Sequence, residues 1–126
     1  MNDLVPVNAL LLVAHGSRRE ASNREVRKLT DRVRERAAGR FDPVDCAFLE
    51  FADPDIPSGI ETCISAGATQ VTVVPYFLSA GRHVAQDIPA AVAGVRRRYP
   101  EVDIVVTPHL GAADAIADQL LALAVD

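Results

Sequence analysis

Three side chains that can bind a transition metal each follow an apolar, strand-like run in this sequence. They are His15, Glu50 and His83. The carboxyl ends of the strands in a parallel α/β sheet border the ligand crevice, so these residues are expected to meet although they are far apart in the chain. Two imidazoles and a carboxylate suit a first-row metal. The pattern therefore predicts a metal site whose residues are also available for proton transfer.

Basic and apolar residues surround these three positions. The segment Gly16-Ser-Arg-Arg19 at a helix start offers backbone donors and guanidinium forks to a carboxylate or a phosphate. Apolar residues that could line a ligand site also lie between the third strand-like run and His83. We expect ligand contacts from Ser17, Arg18, Phe77, Leu78, Gly81 and Arg82. Loop arginines are also common as ordinary solvated surface, and Tyr76 suits a ligand wall and the core equally well.

Each ligand candidate also has a simpler interpretation. A histidine after a strand often binds only a backbone carbonyl, and Glu50 could instead form an ion pair with a loop arginine. The joint placement of His15 and His83, after two strands expected to be adjacent, favours a shared site. His109 follows the last strand, one place farther from the crevice. It is expected to be an outer ligand or a loop anchor, and its role stays open.

The elements that carry these residues alternate regularly along the chain. Apolar runs predict strands at 9–14, 44–49, 71–75 and 104–107. Helical spacing of apolar residues predicts helices ending near 39, 66 and 99, and a last helix from 111 onward. The stretch 77–87 is the longest segment expected to be irregular. The order is therefore βαβαβαβα.

Local signals mark the helix starts and the buried faces. Ser17 and Glu20 have the spacing of a capping box. Asp87, two residues before Pro89, is expected to cap the third helix. The apolar face of the last helix is expected to comprise Ala113, Ile116, Ala117, Leu120 and Leu121.

This alternation predicts one α/β domain over residues 1–126, with a four-stranded parallel sheet and helices on both faces. A flavodoxin-like strand order of 2-1-3-4 is expected. In that order the switch point, where ligands bind, lies between strands one and three. Those are the strands followed by His15 and His83, and Glu50 follows the neighbouring strand two.

Composition excludes several classes of partner. The formal net charge of −4 argues against a nucleic-acid or anionic-membrane binder, which usually carries a positive field. No apolar stretch approaches the roughly 20 residues that a membrane helix needs, and no secretory leader is recognisable. Cys46 and Cys63 lack metal-site spacing and are expected to be buried, reduced thiols. The expected location is the cytoplasm.

Three motifs resemble those of the sirohydrochlorin chelatases, in the class II chelatase group. They are His15-Gly-Ser-Arg18, Phe48-Leu-Glu50 followed by Pro54, and the long segment Val74-Pro-Tyr-Phe-Leu-Ser-Ala-Gly-Arg-His-Val-Ala-Gln-Asp-Ile-Pro89. The resemblance extends from Leu10 to the loop 109–111. It implies a chelatase-like fold and ATP-independent insertion of cobalt, ferrous iron or nickel into sirohydrochlorin, toward cobalamin, siroheme or a nickel tetrapyrrole.

The resemblance also implies roles for individual residues. The family's metal-handling His, Glu and His match His15, Glu50 and His83. No tightly bound cofactor is implied, since the metal is a substrate. Because many relatives fuse two such domains, the resemblance implies that this short form works as a homodimer. The alternatives are a non-catalytic carrier of metal or tetrapyrrole and an anion-binding flavodoxin-like module, although the latter would lack a P-loop fingerprint.

Overall fold

A computed structural model describes residues 5–125. Its four strands form one parallel sheet in the order β2-β1-β3-β4, which confirms the predicted topology. The strands are β1 (Asn8–Ala14), β2 (Val44–Phe48), β3 (Gln70–Pro75) and β4 (Asp103–Val106). The switch point therefore lies between β1 and β3, and all four carboxyl ends lie at one edge.

Four α-helices connect and follow the strands. They are α1 (Glu20–Ala37), α2 (Ile56–Ser65), α3 (Ile88–Arg98) and α4 (Ala115–Ala124). A π-helical turn, His83–Asp87, leads into α3, and a 3-10 turn, Leu110–Ala112, precedes α4. The π-helical turn replaces the end of the segment predicted to be irregular. No helix within residues 5–125 is long and apolar enough to cross a membrane.

The main core lies between the sheet and helices α2 and α3. Alternate residues of β1, Leu11 and Val13, are fully buried in the same cluster as Ile60 of α2 and Val92 of α3. Leu10 points to the opposite face, where it lines a cavity with residues of α1 such as Val33. Since side chains alternate along a strand, helices cover both faces of the sheet, as predicted.

Helix α2 starts at a well-formed cap. The carboxylate of Asp55 accepts a hydrogen bond from the backbone N–H of Ser58 at 2.9 Å, and this bond lowers the pKa of Asp55. Pro57 occupies the first turn, where no backbone N–H is required. On the inner side, Gly59 lies so close to Ala47 and Leu11 that a methyl group there would be tightly packed.

The predicted capping box of α1 is wrong. The helix begins at Glu20, and the hydroxyl of Ser17 accepts instead from the N–H of Arg19 at 3.0 Å. The carboxylate of Glu20 accepts from Arg27 and from Asn23. A hydrogen bond within the loop has replaced the cap, so the helix starts two residues later than a cap at Ser17 would place it.

The predicted cap of α3 is wrong as well. Asp87 has helical backbone angles, φ −70° and ψ −43°, and its side chain makes no cap hydrogen bond. The reason is that the π-helical turn runs directly into α3 without a free helix start. The carboxylate of Asp87 is therefore available for another contact.

The apolar face predicted for α4 is exposed to solvent, so its expected burial is wrong. Leu120 and Leu121 are 64% and 66% exposed, and only Ile116 of the predicted face is half-buried. The main packing partner of α4 is the preceding 3-10 turn. Helical spacing identified the helix, but it did not reveal that no strand of the described sheet packs against this face.

The two cysteines have different environments. Cys63 is fully buried, and burial raises the pKa of its thiol to about 12. Cys46 is only half-buried, so the expectation of two buried thiols holds for Cys63 alone.

Candidate metal centre

The pairing of β1 with β2 places His15 beside Glu50. Hydrogen bonds continue past the ends of both strands: Leu49 N–H donates to Ala14 C=O, and Glu50 N–H donates to His15 C=O, each at 3.0 Å. The side chains then meet, with His15 Nε2 at 2.8 Å from Glu50 Oε2. Because the backbone of both residues is fixed by the sheet, this contact is set by strand register.

Gly16 allows this close approach. Its φ of +92° lies in the left-handed region, and a Cβ at this position would stand 1.8 Å from the backbone oxygen of Glu50. Only glycine satisfies both conditions. The backbone of Gly16 and that of Glu50 are therefore packed directly against each other.

His83 reaches the same place from the loop after β3. The N–H groups of Val84 and Ala85 donate to the carbonyl of Gly81, which closes the turn around His83. The imidazole rings of His15 and His83 lie with centroids 4.7 Å apart and planes inclined by 36°. His83 Nδ1 lies 2.7 Å from a carboxylate oxygen of Asp87.

The three predicted ligand residues converge. His15, Glu50 and His83 each offer a ligand atom, and these atoms all lie within 4.8 Å of one another. The side chains are 44–47% exposed, so the group is open to solvent. A small cation could contact all three after modest side-chain rotation, while further coordination positions would remain accessible from outside.

Asn23 fixes the loop that follows His15, and the sequence prediction missed it. Its side-chain oxygen accepts from Ser17 N–H at 2.9 Å, and its amide donates to Ser17 C=O at 2.8 Å. Asn23 is only 2% exposed. The available signal was a polar residue on the inward stripe of α1, in register with Val26 and Thr30 at helical spacing.

Arg18 and Phe51 form the outer side of the site. The Arg18 guanidinium stacks on the Phe51 ring at 4.8 Å from its centroid. Phe51 has a φ of +69°, uncommon for a bulky residue, and is 51% exposed. Unusual backbone conformations cluster at functional sites. An aromatic residue directly after Glu50 was the signal that the sequence prediction passed over.

The loop after β3 forms the opposite side of the site. Phe77 is half-buried against the core, whereas Leu78 is 73% and Tyr76 37% exposed. Exposed apolar surface therefore comes from Tyr76 and Leu78 more than from Phe77. Gly81 and Arg82 are exposed at the turn before His83.

His109 lies outside the metal-capable group found among the described residues. Its carbonyl accepts from Ala112 N–H in the 3-10 turn, and Gly111 N–H donates to Phe77 C=O. A Cβ on Gly111 would stand 1.8 Å from the oxygen of Leu78. The loop 109–111 thus packs against and supports the loop that leads to His83.

A parallel sheet of order β2-β1-β3-β4 with two histidines and a glutamate at its switch point defines an α/β protein with a metal-capable crevice. The chain belongs to the CbiX family, whose model matches residues 9–125. It is 36% identical over 118 residues to a sirohydrochlorin ferrochelatase of Priestia megaterium, covering 91% of this chain and 42% of that protein. It is 30% identical over 139 residues to a sirohydrochlorin cobaltochelatase of Methanococcus aeolicus, covering 91% and 96%.

Solved structures agree with this membership. The sirohydrochlorin chelatase SirB of Bacillus subtilis subspecies spizizenii, determined in complex with cobalt, matches with a TM-score of 0.81 at 30% identity. The match covers 92% of this chain and 49% of that chain. The chain thus spans about half the length of several relatives that it matches.

Proposed function

We propose that this protein inserts a divalent metal, Co²⁺, Fe²⁺ or Ni²⁺, into sirohydrochlorin without ATP. The observation that carries the proposal is the convergence of His15, Glu50 and His83 at the switch point. The relatives named as sirohydrochlorin ferrochelatase and cobaltochelatase support the choice of substrate. The metal is a substrate of this reaction, and no tightly bound cofactor is required.

In this proposal His15, Glu50 and His83 hold the incoming ion. Nitrogen and carboxylate ligands bind such ions at about 2.0–2.2 Å. Three protein ligands leave coordination positions open for water and for the pyrrole nitrogens, so the ion can be transferred to the macrocycle. The exposure of the three side chains supports this role, because a closed, fully buried site would retain the metal.

The same residues accept protons. Metal insertion displaces two N–H protons from the macrocycle, and a base within hydrogen-bond reach must receive each of them. Glu50 and the two histidines are the candidate bases, since they would lie on the metal side of the bound ring.

The surrounding residues bind the macrocycle. In this proposal Arg18 and Arg82 pair with peripheral carboxylates of the macrocycle, and Ser17 and Gly81 contribute contacts beside them. Leu78, next to the half-buried Phe77 in the chain, receives the apolar ring face. The stack of Arg18 on Phe51 supports this assignment, because it holds the guanidinium at the mouth of the site.

A homodimer supplies the second wall of the tetrapyrrole cleft. The exposed leucines of α4 support this proposal, since Leu120 and Leu121 form an apolar surface without a partner in the described chain. Light scattering at micromolar concentration tests it. A mass of 13.5 kDa, that of one chain, would contradict the dimer.

An anaerobic assay tests the activity. Purified protein is mixed with sirohydrochlorin and Co²⁺, Fe²⁺ or Ni²⁺ in turn, and the visible spectrum is followed against the spontaneous reaction. A chelatase accelerates the spectral change with at least one metal. A carrier binds metal without changing that rate, and this outcome would refute the proposed activity.

A further inference from the structure

Asp87 makes a contact that neither a helix cap nor the metal group explains. Its Oδ2 lies 2.7 Å from Nδ1 of His83, four residues earlier on the same π-helical turn. Both side chains are partly buried, with 43–44% exposed. The turn continues into α3, whose buried residue Ile88 directly follows Asp87. The carboxylate therefore lies directly before the buried first residue of α3.

The chemistry of this pair determines which ring nitrogen of His83 carries the proton. An ionised carboxylate only accepts hydrogen bonds, so Nδ1 must be the donor. A neutral imidazole carries one N–H, and Nε2 is then left with its lone pair. We propose that Asp87 is a positioning residue that keeps His83 in the Nδ1–H tautomer and presents Nε2 to the metal. This inference rests on the proposed function of His83 as a ligand.

His15 has the opposite arrangement. Its Nε2 is bonded to Glu50, so both partners of that hydrogen bond belong to the metal-capable group. An incoming ion must replace this bond before it can bind both residues. His83 needs no such exchange, because its partner lies outside the group. Asp87 therefore makes His83 the histidine that is ready before the metal arrives.

Variants at position 87 and a neighbouring control separate this role from a structural one. Asp87→Ala removes the acceptor, whereas Asp87→Asn retains a carbonyl oxygen that can accept from Nδ1. Gln86→Ala changes an exposed side chain on the same turn and serves as the control. Long-range ¹⁵N–¹H correlation spectra of the metal-free proteins report the tautomer of His83, and titration with Co²⁺ reports affinity.

We expect wild type and Gln86→Ala to show the Nδ1–H form and equal Co²⁺ affinity. Asp87→Ala should lose that form and bind Co²⁺ roughly 10–100-fold more weakly. Asp87→Asn should bind Co²⁺ more tightly than Asp87→Ala, in proportion to the Nδ1–H form that it retains. If circular dichroism shows that Asp87→Ala is unfolded, the test rests on Asp87→Asn.

A variant that loses the Nδ1–H form yet binds Co²⁺ as tightly as Gln86→Ala would overturn the inference. So would an unchanged tautomer in folded Asp87→Ala. The metal-insertion assay is a separate readout: wild-type protein that binds Co²⁺ but does not accelerate chelation refutes the proposed function and leaves the result on Asp87 intact.

Discussion

Gly16 is the residue whose substitution should most directly disturb the site. In Gly16→Ala the new methyl group meets the backbone oxygen of Glu50 and the residue keeps an unfavourable φ. We expect Glu50 to be displaced and Co²⁺ affinity, measured by titration, to fall at least tenfold. Gly94→Ala is a matched control, because nothing lies within 4 Å of its added Cβ in α3. Equal affinity of the two variants would contradict this packing.

The histidines should differ in importance. We expect His15→Ala and His83→Ala each to lose most of the proposed metal-insertion activity, because both belong to the convergent group. His109→Ala should keep much of it, since His109 lies outside that group. Initial chelation rates, with circular dichroism as a check of folding, measure the difference. A folded His109→Ala as impaired as His83→Ala would require a different ligand set.

The three candidate ligands were predictable from sequence because strand ends of a parallel sheet meet at one edge. Asp87 and Asn23 were harder to interpret. The motif containing Asp87 suggested a helix cap, and only the π-helical turn brings its carboxylate to His83. Asn23 was predicted neither as buried nor as bonded to the loop, since its partners in that loop are backbone atoms six residues away. Contacts that depend on local backbone geometry are not encoded in apolar spacing.

At the scale of elements, the cap of α2 should make a measurable contribution to stability. Asp55→Ala removes the acceptor for Ser58 N–H and should lower the free energy of unfolding by about 1 kcal/mol. Asp55→Asn is the control, since an asparagine oxygen can also cap. Urea unfolding at pH 7 measures both. Equal stability of the alanine and asparagine variants would contradict the capping role.

The same cap predicts a pH dependence. Hydrogen bonding lowers the pKa of Asp55 below its ordinary value of 3.8, so folding favours the charged carboxylate. Its contribution is therefore complete above that value and is lost as the pH falls toward the folded-state pKa. The stability difference between wild type and Asp55→Ala should shrink below pH 4. A difference that stays constant down to pH 2 would exclude charge as its source.

Element order was more predictable than element packing. Apolar runs placed all four strands within one residue of their observed bounds. The right-handed crossover rule limited the possible strand orders, and the expected flavodoxin-like order is the observed one. The start of α1 and the environment of α4 were missed. Both depend on tertiary contacts. The loop at Ser17 is bonded to the Asn23 side chain, whereas Leu121 packs against no strand of the described sheet and is exposed.

At the scale of the whole molecule, the exposed face of α4 should determine association. Leu120→Lys with Leu121→Lys places two charges on the apolar surface and should shift the proposed dimer to monomer. Val5→Lys is a control, because Val5 is also exposed but lies at the other end of the described chain. Light scattering measures both masses. A double variant that remains dimeric would place the interface elsewhere.

The three loops that carry His15, Glu50 and His83 come together only when β1, β2 and β3 have paired. A bound ion would therefore tie three distant segments of the native chain and find no such site in the unfolded one. Cobalt at 100 times its dissociation constant should stabilise the native state by about 2.7 kcal/mol. Thermal unfolding followed by circular dichroism should show a higher Tm with Co²⁺ for wild type and little change for His83→Ala. The metal substrate of the proposed reaction would thus also stabilise the fold reversibly for as long as it stays bound.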